Sequence, residues 1–122
     1  MEKNVYKGYK GLNVYQKAYS EVINVYKITK GFPEEEKYVM VTQMRRASCS
    51  IPLNIAEGYG KKESMSDYRR FLIIAKGSCN EMQVLIDLSK DLGYISETNH
   101  GKMAQAYIEI SKMLQGLIKT IK

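Results

Sequence analysis

The spacing of apolar residues constrains the fold of this 122-residue chain more than any other feature. Apolar side chains recur every three or four positions along most of the sequence, a period typical of amphipathic α-helices. One uninterrupted series lies between Ser64 and Leu92 and consists of Tyr68, Phe71, Leu72, Ala75, Cys79, Met82, Leu85 and Ile86. Alternating strand patterns and Asn-Gly or Asp-Gly turns are absent, and the chain has only two prolines. The sequence therefore predicts an all-α fold.

The first two helices are separated by a Gly-Phe-Pro sequence. Helix 1 is predicted from Leu12 to Lys30, with apolar residues over about half of its circumference. We expect it to end at Gly31 in the left-handed conformation. Helix 2 is predicted to begin at Pro33, because proline suits the first helical position and the glutamates that follow favour the positive end of the helix dipole. Pro52 lies in the interior of helix 2, where we expect a kink rather than a break.

The last two helices follow short polar turns. Ser64, with Asp67 three residues later, is predicted to cap helix 3. Leu92 and Gly93 are predicted to end helix 3, and Ser96 to cap helix 4. Because four long helices joined by short connections pack as antiparallel neighbours, the sequence predicts an up-down-up-down four-helix bundle.

Length and composition indicate a single domain, residues 1–122, with a short flexible leader over about residues 1–10. A chain of this length buries enough surface for one core and too little for two. Two cysteines and one histidine fall short of a closed structural zinc site, so no metal and no other cofactor is expected. No apolar run approaches the roughly 18 residues of a membrane span, and no secretory signal is recognised at the start. We expect a cytoplasmic protein that does not bind membranes.

Helices 1 and 2 carry more apolar surface than one bundle core covers. Between Tyr38 and Tyr59 only Arg45, Arg46 and Glu57 are charged, so nearly every side of helix 2 is available for burial. Since a monomer rarely exposes so much contiguous apolar surface, we predict a homo-oligomer.

Two ion pairs are predicted across helices 2 and 3. Their antiparallel register brings Arg46 level with Glu81, and Glu57 level with Arg69. The alternative is that each charge is solvated, because the register does not fix helix rotation.

Two cysteines also come level in this register, Cys49 and Cys79. We predict free thiols that act as small apolar side chains, because both lie among apolar neighbours and a cytosolic protein keeps its thiols reduced.

Polar residues at helical spacing on helix 2 predict a buried network of Gln43, Ser50 and Asn54. A catalytic interpretation lacks a basic partner, because the only histidine, His100, falls in the first turn of helix 4, where we expect it at the surface. The glutamates 34–36 are better explained by the helix dipole than by a metal site. We therefore expect no catalytic residue and no enzyme activity.

The charge balance favours a polyanionic partner. Nineteen Lys and Arg against thirteen Asp and Glu give a net charge of +6, with the excess mainly at the two chain ends. A candidate nucleic-acid site gathers around one end of the bundle and consists of Tyr59, Lys61, Lys62, Tyr68, Arg69 and Arg70. Its cations would contact phosphates, and the alternative is an ordinary solvated loop. The leader repeat Tyr6–Gly11 also has two explanations. Its tyrosines stack on bases, or they rest on the bundle.

Several sequence blocks occur in an order that is specific to one bacterial family. They are Val14-Tyr15-Gln16-Lys17-Ala18, Gly31-Phe32-Pro33, Gln43-Met44-Arg45-Arg46-Ala47, Ser50-Ile51-Pro52, Asn54-Ile55-Ala56-Glu57-Gly58, Arg70-Phe71-Leu72, Ala75-Lys76-Gly77-Ser78 and Leu92-Gly93-Tyr94-Ile95. Over residues 11–96 the chain thereby resembles the four-helix-bundle proteins encoded in intervening sequences of bacterial 23S ribosomal RNA genes, which are often labelled ribosomal proteins.

The resemblance implies a ring-like homopentamer with no known enzyme activity. It also implies kinship to accessory proteins of diversity-generating retroelements, which contact nucleic acid and a reverse transcriptase. This chain departs from the family pattern at Cys49 and Cys79, where aliphatic residues are commoner. It also has Lys61 and Lys62 where arginine is common, which keeps the charge but loses bidentate phosphate geometry.

The leading hypothesis is a non-catalytic, oligomeric, nucleic-acid-associated protein, with RNA as the expected partner. The alternative is a homo-oligomeric scaffold that binds a protein and ignores nucleic acid. Salt-sensitive RNA binding separates the two hypotheses.

Overall fold

Four α-helices make up the computed structural model, which describes residues 7–121. The helices are Asn13–Thr29 (α1), Met40–Gly60 (α2), Met65–Asp91 (α3) and Glu97–Lys119 (α4). Short 3₁₀ turns lie at Gly8–Gly11 and Glu34–Glu36, and no strand occurs between residues 7 and 121. The all-α four-helix prediction is confirmed.

Side-chain contacts between neighbouring helices fix their directions. Along α2 and α3, Arg46 contacts Glu81 and, one turn further, Ser50 contacts Ser78, so the two helices are antiparallel. The remaining neighbours are joined by the pairs Arg45–Thr29, Lys76–Gln115 and Lys17–Glu109. This arrangement brings the start of α1, the α2–α3 turn and the end of α4 to one end of the bundle.

The core is a single apolar cluster to which all four helices contribute. Its largest fully buried side chains are Val25, Met44, Ile51, Ile55, Leu72, Cys79, Met82, Ile86, Met103, Tyr107, Ile110 and Leu114. Each buried aliphatic or aromatic side chain of this size contributes about 1.5–3 kcal/mol relative to an exposed one. The predicted apolar series of helix 3 faces this core, apart from Phe71, which is only partly buried.

The predicted start of helix 2 at Pro33 is wrong. The glutamates form a separate 3₁₀ turn, and α2 begins only at Met40, whose N–H donates to Glu36 Oε1 at 3.3 Å. A helix continued backwards from buried Met40 and Val41 would place Lys37 on the core-facing side, since residues three and four apart share a face. The break lets Lys37 remain exposed, while Glu36 accepts a 2.6 Å hydrogen bond from Tyr94.

Of the other four helix-end predictions, three are confirmed. Ser64 accepts from Asp67 N–H at 3.3 Å and Ser96 accepts from Asn99 N–H at 3.0 Å. Gly93 has φ +83° and closes α3, with Tyr94 N–H bonded to the Ser89 carbonyl. The fourth prediction is wrong. Gly31 has no positive φ, because 3₁₀-type bonds to Ile28 and Thr29 close α1 instead.

The predicted polar network on α2 forms in part, and both predicted free cysteines are present. Asn54 donates to the Ser50 carbonyl at 2.8 Å and Ser50 contacts Ser78 Oγ at 2.9 Å, so this part of the predicted network forms. Gln43 is exposed and takes no part. Both cysteines are free thiols, and burial raises the pKa of Cys79 to about 12. α2 also continues unbroken through Pro52.

A carboxyl and a phenol are buried between α1 and α4. Glu21 Oε1 and Tyr107 Oη each lack a hydrogen-bond partner among residues 7–121. Burial raises the pKa of Glu21 above its ordinary 4.5, against the smaller opposing effects of Asn24 and Lys17. Burial also raises the pKa of Tyr107, and the Glu21 charge adds to that effect.

Glu21 is expected to make the protein less stable as pH rises. Because its folded pKa lies above its unfolded pKa, the folded state binds more protons between the two values, and its contribution is lost as pH passes upward through the folded pKa. The Glu21→Gln variant should lack this decline, which denaturant unfolding between about pH 4 and pH 7 measures. An unchanged pH profile would contradict the prediction.

Glu109 provides a control of opposite sign on α4. Its hydrogen bond to Lys17 lowers its pKa, so its stabilising contribution is present at higher pH and lost as pH falls through the folded pKa. The Glu109→Gln variant should therefore become relatively more stable towards acid, whereas Glu21→Gln should become relatively more stable towards neutral pH.

Candidate nucleic-acid interface

The candidate interface is built on the turn between α2 and α3. α2 ends at Gly60, the polar residues 61–63 form the turn, and Ser64 caps α3. Gly58 allows the two helices to approach closely here, because a Cβ at this position would lie 2.9 Å from Phe71 Cβ and 3.2 Å from the Tyr68 carbonyl oxygen. The short connection and the close approach bring the two lysines of the turn and the two arginines of α3 to one end of the bundle.

The four predicted cations are all exposed. Lys62 Nζ donates to Tyr59 Oη at 3.0 Å and lies 4.1 Å from the centre of that ring. This hydrogen bond raises the pKa of Lys62, so the lysine remains charged at neutral pH. Arg70 stacks on Phe71 at 4.4 Å and lies 3.7 Å from the Asp67 carboxylate.

Of the two predicted aromatic residues, Tyr68 is not available for stacking on bases. Tyr68 is only 7% exposed and belongs to the core, where burial raises its pKa. Tyr59 packs edge-on against Tyr68 at 6.2 Å, and the Lys62 ammonium covers one of its faces. The α2–α3 contact therefore uses both tyrosines to support the turn, and Tyr59 also positions Lys62.

One of the two predicted ion pairs forms. Arg46 and Glu81 are 3.2 Å apart, with both side chains partly exposed, so the pair contributes at most about 1 kcal/mol. Arg69 does not pair with Glu57. Its guanidinium turns towards α4 and lies 3.5 Å from the carbonyl oxygens of Ile118 and Ile121, where a cation complements the negative end of the helix dipole. The observed register brings Glu57 level with Arg70 rather than Arg69, and helix rotation directs Arg69 to α4.

Sequence reasoning missed three further cations at this end. Lys7 and Lys10 lie at the start of the described chain and Lys119 at the end of α4, and all three are exposed. The 3₁₀ turn Gly8–Gly11 packs beside Tyr59, with an ideal Gly8 Cβ 3.8 Å from that ring. The signal was the charge excess at both chain ends, because an up-down-up-down topology brings both ends to the α2–α3 turn.

The N-terminal repeat lies partly outside the described residues. Tyr6 falls there, while Tyr9 packs edge-on against Tyr15 with ring centres 5.0 Å apart. At least this tyrosine rests on the bundle, as one of the two explanations of the repeat expected.

The opposite end of the bundle has a more balanced charge. It combines Glu34, Glu35, Glu36, Asp91 and Glu97 with Lys27, Lys30, Lys37 and Lys90. His100, expected at the surface, is only partly exposed there and contacts Asp87 at 2.8 Å. At the end that carries the α2–α3 turn, Glu57, Glu63 and Asp67 offset only part of the seven cations named above, so the bundle is electrostatically polar with its positive excess at that end.

Two apolar surfaces remain uncovered on the sides of the bundle. One is a groove between α1 and α2 that includes Tyr19, Ile23 and Leu53. The other is a ridge on α3.

In residues 7–121 no helix is long and apolar enough to cross a membrane, and no three potential metal-ligating side chains cluster.

Comparison with known proteins identifies the family. A family model described as 23S rRNA-intervening sequence protein matches residues 10–116. A solved structure of a protein of unknown function, from the S23 ribosomal protein family of Bacteroides thetaiotaomicron, is 28% identical with a TM-score of 0.79, and the match covers 98% of this chain and 99% of that chain. No match was found among curated proteins. The match over most of the chain and the shared four-helix fold show that this chain belongs to the 23S rRNA-intervening sequence protein family.

Proposed function

We propose that the protein is a non-catalytic, cytoplasmic homo-oligomer that binds RNA through the positive end of its bundle. The observation that carries the proposal is the charge polarity of the fold. The topology brings Lys61, Lys62, Arg69 and Arg70 to the same end of the bundle as the lysines of both chain ends. The family description refers to 23S rRNA, which makes RNA the first polyanion to test.

The proposed contacts are with phosphates rather than bases. Exposed lysine and arginine side chains bind the backbone of RNA without reading its sequence. Tyr68 is buried and the Lys62 ammonium covers one face of Tyr59, so base stacking is not part of the proposal. One bundle end provides only a few contacts, so we expect weak binding by a single copy. In a ring, which the family resemblance suggests has five copies, repeated ends would raise the affinity through effective concentration.

The test is an electrophoretic shift of single-stranded and duplex RNA across a salt series, with the oligomer mass measured by light scattering. Replacing Lys61, Lys62, Arg69 and Arg70 by alanine should weaken binding and reduce the salt slope by about 0.7 per lost single-strand contact. The oligomer should persist, because all four side chains are exposed and a single exposed charge contributes at most about 1 kcal/mol to a contact.

A far-end variant provides the matched control. Replacing Lys27, Lys30, Lys37 and Lys90 by alanine removes the same net charge from the opposite end. If both variants lose RNA binding equally, the effect is one of total charge, and the positive end is not a site.

The uncovered apolar surfaces favour a second candidate, a homo-oligomeric scaffold for a protein partner. Tyr19, Ile23 and Leu53 are exposed and line one groove, and a contiguous exposed apolar patch marks an interaction surface. An intact wild-type oligomer that ignores RNA even at low salt would favour this scaffold over the RNA-binding proposal.

A further inference from the structure

Gly77 is a helix-interior glycine that the fold of a single copy does not require. It lies in the middle of α3, is exposed, has no positive φ, and an added Cβ would meet no atom within 4 Å. Glycine destabilises a helix interior relative to alanine. Close approach of another backbone is the usual use of such a position, and within residues 7–121 no backbone approaches it.

Gly77 lies within an exposed apolar ridge on α3. The ridge is formed by Ile73, Ile74, Val84 and Leu88, which occupy the helix face directed away from α2 and α4. All four side chains are more than 40% exposed. Ile73 and Ile74 precede the bare glycine on this face, and Val84 and Leu88 follow beyond the polar Asn80 and Glu81. The surface is therefore convex, with a notch at Gly77 and a polar break before Val84.

A concave apolar surface lies elsewhere on the same molecule. It is the groove between α1 and α2, a cavity of about 360 Å³ lined by Tyr9, Tyr15, Tyr19, Val22, Ile23, Cys49, Pro52, Leu53 and Ala56. Its lining contains no charged side chain, and Leu53 is 66% exposed at its rim. The groove is therefore suited to an apolar helix surface.

We infer that the α3 ridge of one copy packs into the α1–α2 groove of a second copy, with Gly77 at the closest approach of the helices. The inference rests on the self-association in the proposed function and identifies the surfaces that form it. Because ridge and groove are different parts of the chain, the contact is head-to-tail, and repetition closes a ring when the rotation permits. In such a ring all positive bundle ends lie on one side.

Charge complementarity supports this contact. If the ring axis runs parallel to the helices, each residue keeps its height from copy to copy. The α2–α3 register set by Arg46–Glu81 and Ser50–Ser78 places Glu57 level with Arg70. Glu57 on α2 is exposed and pairs with no cation of its own copy within residues 7–121, so it is positioned to meet Arg70 of a second copy.

The test combines two exposed, interface-breaking substitutions. Gly77→Lys places a charge on the ridge and leaves the groove intact, whereas Leu53→Arg does the reverse. Each variant alone should be monomeric by light scattering, while their mixture should form a heterodimer, because one intact ridge and one intact groove remain. Gly116→Lys, at another open helical glycine on α4, should retain the wild-type mass.

The remaining outcomes would overturn the inference. A ridge-to-ridge contact would be lost in Gly77→Lys and unaffected by Leu53→Arg, and a groove-to-groove contact would show the reverse. A monomeric wild type, or a mixture that does not associate, also contradicts it. If the wild type is a monomer that binds RNA, the proposed RNA binding stands and this inference fails. If the ring forms as described and ignores RNA, this inference stands and the proposed RNA binding fails.

Gly77→Ala gives a second measurement that does not depend on a new charge. In the monomeric Leu53→Arg background it should raise the melting temperature, because alanine favours the helix. In the otherwise wild-type chain it should weaken assembly by about tenfold or more, the effect of disturbing a central contact. Equal or tighter assembly with alanine would show that no backbone approaches Gly77.

Discussion

Replacing Gly58 by alanine is expected to lower the free energy of unfolding by about 1–3 kcal/mol, the usual cost of overpacking. The added methyl group would lie 2.9 Å from Phe71 Cβ and 3.2 Å from both the Tyr68 ring and the Tyr68 carbonyl oxygen. Two of these three atoms belong to, or adjoin, the backbone of α3, so the helices themselves must separate. Urea unfolding, with the midpoint and slope fitted separately, measures the loss.

Gly116→Ala is the matched control for this prediction. Gly116 is also helical, but its Cβ would meet no atom within 4 Å. The same substitution should therefore stabilise the protein by about 0.5–1 kcal/mol through helix propensity alone. If Gly58→Ala also stabilised the protein, that result would contradict the close approach of α2 and α3 at Gly58. It would also contradict the packing described as supporting the basic turn.

Local signals predicted most of the helix boundaries. The caps at Ser64 and Ser96 and the left-handed Gly93 depend on a few adjacent residues, and each forms as the sequence indicated. The start of α2 was mispredicted because Pro33 and the glutamates do fit a first helical turn. The deciding interaction was tertiary, since the segment is held by Phe32 packed on Tyr94 and by Glu36 bonded to the Tyr94 hydroxyl.

The candidate site was less predictable than the fold for a related reason. The apolar period shows which face of a helix is buried. Tyr68 fits the apolar series of helix 3 and also the candidate nucleic-acid site, and the sequence alone does not show whether its ring is in the core or at the surface. Rotation of α3 similarly decided that Arg69 meets the end of α4 and not Glu57. Gly58 and Gly60 look equivalent in the sequence as helix terminators, yet only Gly58 contacts the neighbouring helix.

The predicted up-down-up-down topology was sufficient to identify the additional cations. In an up-down-up-down bundle, residues near the start of helix 1 and the end of helix 4 lie beside the second interhelical turn. Lys10 and Lys119 could therefore have been assigned to the same end as Lys61 from the helix count alone. The charge excess at the chain ends and the basic turn are one feature of the folded molecule, although they are far apart in sequence.

Replacing Ile51 by alanine is expected to destabilise the protein by about 2–5 kcal/mol, the range for deleting a large buried aliphatic side chain. Ile51 is fully buried in the core, and the cavity left among rigid helices collapses only in part. The measurement is denaturant unfolding in the Gly77→Lys background, which the ridge-in-groove contact predicts to be monomeric, so that assembly does not add to the apparent stability.

Leu53 lies two positions along α2 and separates folding from assembly. It is exposed at the rim of the α1–α2 groove, so Leu53→Ala in the same monomeric background should change stability by no more than about 0.5 kcal/mol. In the otherwise wild-type chain it should weaken self-association, which Ile51→Ala affects only through loss of folded protein. A Leu53→Ala variant that unfolded as readily as Ile51→Ala would place Leu53 in the core. One that was stable and fully assembled would remove the groove from the interface. The two residues thus test, on one helix, whether its apolar excess is used for folding or for contact between copies.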